Sequence, residues 1–172
     1  FVVLAFWLSV RIHTDGARVR DYVGAGLCAG LAASTKYNGV VAILPIVVAH
    51  LLTVPVSPRV LLDRRLVAAG LASIFGFFVA TPYALVDSES FFTFLRLQRE
   101  AYSLGHPGAD QAGTSYAFYF DALWNRFGAA PMLVAALGVV AVTVRRPRLA
   151  LILIACPAAL FGFMGAYPVR FD

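Results

Sequence analysis

Residues Tyr22 to Val54 read YVGAGLCAGLAASTKYNGVVAILPIVVAHLLTV, and the length of this run decides how the chain is arranged. A membrane crossing takes about 20 mostly apolar residues. The run is far too long for one crossing and slightly short for two. In its middle stands Lys36, the only lysine in the sequence. An ammonium group surrounded by hydrocarbon is costly, and it tends to mark a function or a water-facing cavity.

Composition sets the solvent. The 172 residues are 60% hydrophobic and only 13% charged, with a mean hydropathy of +0.80, which predicts a membrane protein rather than a soluble domain. The net charge of +5 is carried by arginines beside apolar runs, so it reports topology and not nucleic acid. Cys28 and Cys156 each fall inside an apolar run and read as small buried hydrophobes. The sequence opens at Phe1 inside an apolar run and closes at YPVRFD just after another, so it reads as an internal piece of a longer multi-span protein.

The arginines settle the crossing number, because basic residues collect in cytoplasmic loops. With a single crossing at Tyr22–Val54, the cluster Arg11, Arg18, Arg20 falls opposite the clusters Arg59, Arg64, Arg65 and Arg145, Arg146, Arg148. With a double crossing, broken near Ser34–Gly39, all three share one side and hold nine of the fourteen basic residues. Asp87, Glu89, Glu100, Asp110, Asp121 and Asp172 then gather opposite. The predicted architecture is an all-α, polytopic transmembrane helix bundle with spans at about 1–10, 22–34, 38–54, 66–86, 127–144 and 149–166. One long extracytoplasmic loop covers about 87–126.

Ser, Thr and Asn compete for backbone hydrogen bonds, and Gly39 permits a turn, so the break has a local cause. The first arm is only about 20 Å long against a hydrocarbon core of about 30 Å, which predicts a turn sunk below the outer surface. Gly26 and Gly30 give that arm a small-residue face for a close helix neighbour. Lys36 then lies in a recess that needs water or an anion. The plainer alternatives are that Lys36 snorkels from a helix end, that Tyr37 anchors at the interface, and that Asn38 caps.

The outer loop starts with TPYALVDSESFFTFLRLQREAY. Asp87 or Ser88 is suited to cap a helix with Glu89 in its first turn, and Phe91, Phe94, Leu95 and Tyr102 fall near one face. The pattern suits a helix lying in the interface. Asp87 and Glu89 are also a candidate pair of carboxylates for glycosyl chemistry, and Arg96 and Arg99 candidate phosphate contacts, with capping and lipid headgroups as the simpler roles. Further on, His106 has no second His or Cys at ligand spacing, so a divalent metal has no support. No phosphate-binding loop, nucleophile elbow, zinc-protease or dinucleotide motif occurs.

Taken together, RDYVGAGLCAGLAASTKYNGVVAILP, TPYALVDSESFF, the GHPG loop and the closing YPVRFD resemble the polyprenyl-phosphate-sugar-dependent membrane glycosyltransferases of GT-C fold. The likeness is to family 39 and its protein-mannosyltransferase-like and aminoarabinose-transferase-like bacterial relatives. It implies sugar transfer with inversion, at the extracytoplasmic face of the cell (inner) membrane, from a lipid-linked donor to an acceptor hydroxyl of unstated class. It implies that Lys36 and Arg170 contact the donor phosphate and that Tyr37, Asn38 and His106 orient donor or acceptor. The catalytic carboxylate is expected in an outer loop before Phe1. No cofactor is required on this reading, and the partners are the lipid-linked sugar, membrane lipids and the acceptor. The rival is a multi-span secondary transporter with its broken helix at Ser34–Gly39; that reading expects a second broken span, and hydropathy gives no sign of one.

Overall fold

The computed structural model describes residues 1–55, 57–104 and 115–166 of the chain, and no strand occurs among them. The helices are α1 (Val2–Thr14), α2 (Val19–Thr35), α3 (Ile43–Thr53), α4 (Arg64–Ala80), α5 (Tyr83–Val86), α6 (Ser88–Leu104), α7 (Tyr116–Phe127), α8 (Ala129–Arg145) and α9 (Pro147–Ala166), with 3-10 turns at Tyr37–Ala42 and Val60–Leu62. Two compact units divide them. The first holds Phe1–Pro82 with Val142–Pro157, and the second Tyr83–Ala141 with Ala158–Asp172.

Side-chain contacts fix the helix directions in the first unit. Leu8 of α1 meets Gly24 of α2, and Arg11 reaches Asp21, so these two helices run antiparallel. Tyr22 near the start of α2 bonds His50 near the end of α3, which makes α2 and α3 a hairpin. Alpha4 runs parallel to α2: Gly26 lies on Ala69, Gly30 on Ser73, and Ser34 bonds Thr81. Direction therefore alternates from α1 to α4. Consequently Arg11, Arg18, Arg20, Arg59, Arg64 and Arg65 gather at one end of the unit and Lys36 stands at the other.

The α2–α4 contact explains two glycines. A Cβ at Gly26 would fall onto the Ala69 carbonyl, and one at Gly30 onto that of Ser73. Backbones this close gain dispersion that larger side chains would forbid. Around the contact, Ala5, Ile12, Tyr22, Ala25, Ala29, Ala42, Ile46, Ala49, Ala69 and Ile152 form the buried core. A fully buried polar link runs through it. The Val60 carbonyl can only accept, so His50 Nε2–H donates to it at 3.0 Å and Nδ1 accepts the Tyr22 hydroxyl at 2.8 Å. This single ring ties α2, α3 and the following loop together.

In the second unit Asp87 precedes α6 and its Oδ1 accepts the Ser90 N–H at 3.1 Å. Phe91 is buried and packs edge-on to Tyr83, with ring centroids 5.9 Å apart. At the start of α7, Tyr116 packs on Phe161 and Gly165, and its hydroxyl donates to the Gly162 carbonyl at 3.1 Å. Gly128, at φ +80°, then allows α7 and α8 to meet at a bend of 114°.

The helices differ in length from the expected spans. Among the described residues α9 is the one helix long and apolar enough to cross a membrane, or one of two if α7 and α8 count as one bent span. Of the six expected spans, those at about 1–10 and 38–54 fall on shorter apolar helices, Val2–Thr14 and Tyr37–Thr53. The run Leu66–Val86 is interrupted at Thr81–Pro82, since Pro82 offers no N–H to continue the ladder. Within the stretch expected as outer loop, Tyr116–Phe127 is helical. A second broken pair does exist, at Gly128, where apolar residues on both sides hide it from hydropathy.

Candidate functional site

The site starts from the end of α2. Ser34 and Thr35 both bond within the unit: Thr35 Oγ1, on the exposed side, donates to Leu31 O at 2.9 Å, and Ser34 Oγ shares a 2.5 Å hydrogen bond with Thr81 Oγ1 at the end of the parallel helix. The α-helical ladder closes with Lys36 N–H on Ala32 O, after which Lys36 is extended at φ −153° and ψ 128°. Gly39 N–H then bonds Lys36 O at 2.7 Å, and the 3-10 turn folds back on α2. A Cβ at Gly39 would strike the Ala32 carbonyl, so the reversal requires glycine there.

Lys36 thus occupies the tip of a broken helical hairpin. It is exposed on the surface of the unit, and α2, from Val19 to Thr35, extends beyond the expected 22–34 arm. Lys36 is the C-cap of α2, an end of the helix that favours a cation. Among the described residues no carboxylate pairs with it. Tyr37 is partly exposed, and Asn38 is half-buried with its side-chain amide free of partners among the described residues. The tip therefore presents one uncompensated cation, a phenol and an amide, a set suited to an anion carrying hydroxyl groups.

The remaining predicted residues fall elsewhere. Asp87, Glu89, Arg96 and Arg99 belong to the second unit, at the start and along the exposed side of α6. Asp87 is engaged as the cap of α6, and hydrogen bonding from Ser90 holds its carboxyl below the usual carboxylate range. A carboxylate so stabilised is a poor proton acceptor near neutral pH. His106 and Arg170 lie outside the described residues.

Sequence reasoning missed Thr81 and the Ser34 bond to it. A hydroxyl just before Pro82 was the available signal, because the helix end frees that side chain, but its partner is 47 residues away. It also missed Asp21, which is only 3% exposed, pairs with Arg11 at 3.5 Å and keeps Oδ2 without a partner among the described residues.

Among the described residues the first unit is an all-helical bundle whose broken hairpin presents Lys36, which defines a class of helical, apolar proteins. Within that class, residues 1–84, just under half of the chain, match the family model described as dolichyl-phosphate-mannose-protein mannosyltransferase. The matched segment contains Lys36, Tyr37 and Asn38 and stops before Asp87. No curated protein and no solved structure matches the chain.

Proposed function

We propose that the protein is a membrane glycosyltransferase that moves a sugar from a polyprenyl-phosphate donor to an acceptor hydroxyl. The family match over residues 1–84 carries this reading, because it spans the whole hairpin that presents Lys36. Membrane placement is supported by the outward faces of the helices. Val3, Leu4 and Trp7 of α1 and Leu71, Ile74, Phe75 and Val79 of α4 are all exposed. Apolar surface on this scale calls for lipid or a partner rather than water.

With α1 to α4 alternating in direction, the arginine-rich end faces the cytoplasm and the Lys36 end the extracytoplasmic side. In the transfer, the acceptor oxygen bonds to the anomeric carbon as the bond to the donor phosphate oxygen breaks, with inversion, and the hydroxyl proton passes to a general base. Negative charge grows on the departing phosphate, and Lys36 neutralises it as a fixed cation. Tyr37 and Asn38 orient the sugar. Arg170 and His106 are assigned to phosphate and donor contacts by resemblance alone, and no residue of this sequence is assigned as the base.

The break at Gly128 favours a second reading, a secondary transporter, since transporters place broken helices at their binding sites. That break has a cation of its own, Arg126 in the last turn of α7, but it lies outside the segment that matches the family model, so the transferase reading stands ahead. The test is Lys36→Ala in the intact protein, assayed with radiolabelled lipid-linked sugar. Turnover at low donor concentration is expected to drop by about a hundredfold, within the range for removing one charge-stabilising group, with membrane insertion unchanged. Unaltered turnover removes Lys36 from the site. Movement of free solute without consumption of lipid-linked sugar establishes the transporter instead.

A further inference from the structure

The end of the first unit opposite Lys36 contains a cleft of about 390 Å³, lined by His13, Thr14, Arg146, Pro147, Arg148 and Leu149. Its walls are anchored in the core, where Ile12 of α1 and Ile152 of α9 are fully buried. Its charge is uncompensated. Arg11, at the same end, is held by Asp15 at 3.2 Å and Asp21 at 3.5 Å, whereas among the described residues no carboxylate pairs with Arg146 or Arg148. His13 is oriented from behind. The Thr53 hydroxyl donates to Ala49 O at 2.6 Å, so it accepts from His13 Nδ1–H at 3.0 Å and leaves Nε2 without a partner among the described residues.

The backbone adds to this field. Pro147 opens α9, and the first amide bonded back is Ala150 N–H to Arg146 O, so the N–H groups of Arg148 and Leu149 lack intrahelical acceptors. The positive end of the helix dipole therefore coincides with two free guanidinium groups. Beside these charges the surface is apolar: Val3, Leu4 and Trp7 on α1 and Leu151 and Leu153 on α9 are exposed.

We propose that this cleft binds the phosphate of an anionic phospholipid headgroup, with the acyl chains along the exposed apolar side chains of α1 and α9. A free phosphate would satisfy the same cations, but the adjoining apolar surface selects a lipid. The site rests on the membrane placement proposed above and not on sugar transfer, so its test does not read turnover.

Intact protein, delipidated in detergent, is offered phosphatidylglycerol or phosphatidylcholine of equal chain length, and retained lipid is counted by native mass spectrometry. Wild type is expected to retain phosphatidylglycerol selectively. Arg146→Ala with Arg148→Ala should weaken retention roughly ten- to thirtyfold, the scale of two basic residues at an anionic surface. Arg18→Ala with Arg20→Ala, which removes equal charge from the same end but outside the cleft, should leave it unchanged, as should Lys36→Ala. Arg148→Gln alone should give a partial loss, which keeps the test decisive if the double variant misfolds. Equal loss from both arginine pairs, equal retention of phosphatidylcholine, or displacement by millimolar inorganic phosphate overturns the proposal.

Discussion

Alpha2 and α8 are both 17 residues long and apolar, yet α2 buries eight residues and α8 buries none. Hydrophobicity alone does not separate them. Alpha2 carries glycines and alanines on the face toward α4, and polar groups at both ends that find partners. Alpha8 presents Leu133, Val134, Leu137 and Val144 outward. The contrast teaches that apolar composition removes a helix from water, while small residues and terminal hydrogen bonds decide which helices close on each other.

The sharpest way to break that contrast is a pair of glycine substitutions. Gly30→Val drives a side chain into the Ser73 carbonyl and should destabilise the protein by about 3 kcal/mol, the upper range for overpacking. Gly138→Ala in α8 meets open space and should be neutral or stabilising by up to about 1 kcal/mol through helix propensity. Thermal unfolding of the solubilised protein measures both, and equal effects would erase the distinction.

Next in size is His50→Ala, which leaves the buried Tyr22 hydroxyl and the part-buried Val60 carbonyl without partners. A loss of about 2 kcal/mol is expected. His50→Phe should not restore it, because volume without donor and acceptor leaves both groups unpaired.

The smallest effect lies in α6. Asp87→Ala should raise amide hydrogen exchange in its first turn and leave α2 unaffected. Acidification should act likewise. The native carboxyl titrates below the unfolded value of about 3.9, so the cap contributes above that value and is lost as pH falls through the lowered one. Exchange that is flat from pH 5 to pH 2 would remove the cap from the account of α6.

Much of the first unit was legible. Arginine spacing predicted that Tyr22–Val54 doubles back, and Ser34, Lys36, Asn38 and Gly39 marked the turn because each disfavours a continuing helix. Gly26 and Gly30 announced a close neighbour without revealing that α4 supplies it. The bend at Gly128 was hidden because its cause is a left-handed backbone between two apolar segments. Likewise Tyr22–His50 and Ser34–Thr81 join residues far apart in the chain, so no local pattern encodes them. At the candidate site the sequence identified Lys36 as unusual but started its helix too late, because the first turn of α2 at Val19 is polar and did not register as helix.

The two flanks of Lys36 differ in stiffness. On one, the α-helical ladder is braced by Ser34 against Thr81 of its parallel neighbour. On the other, Tyr37–Ala42 is wound as a 3-10 turn, whose hydrogen bonds are poorer in geometry and easier to remake. Any molecule lodged at this lysine therefore strains an asymmetric mount, and the give comes from the side that leads into α3.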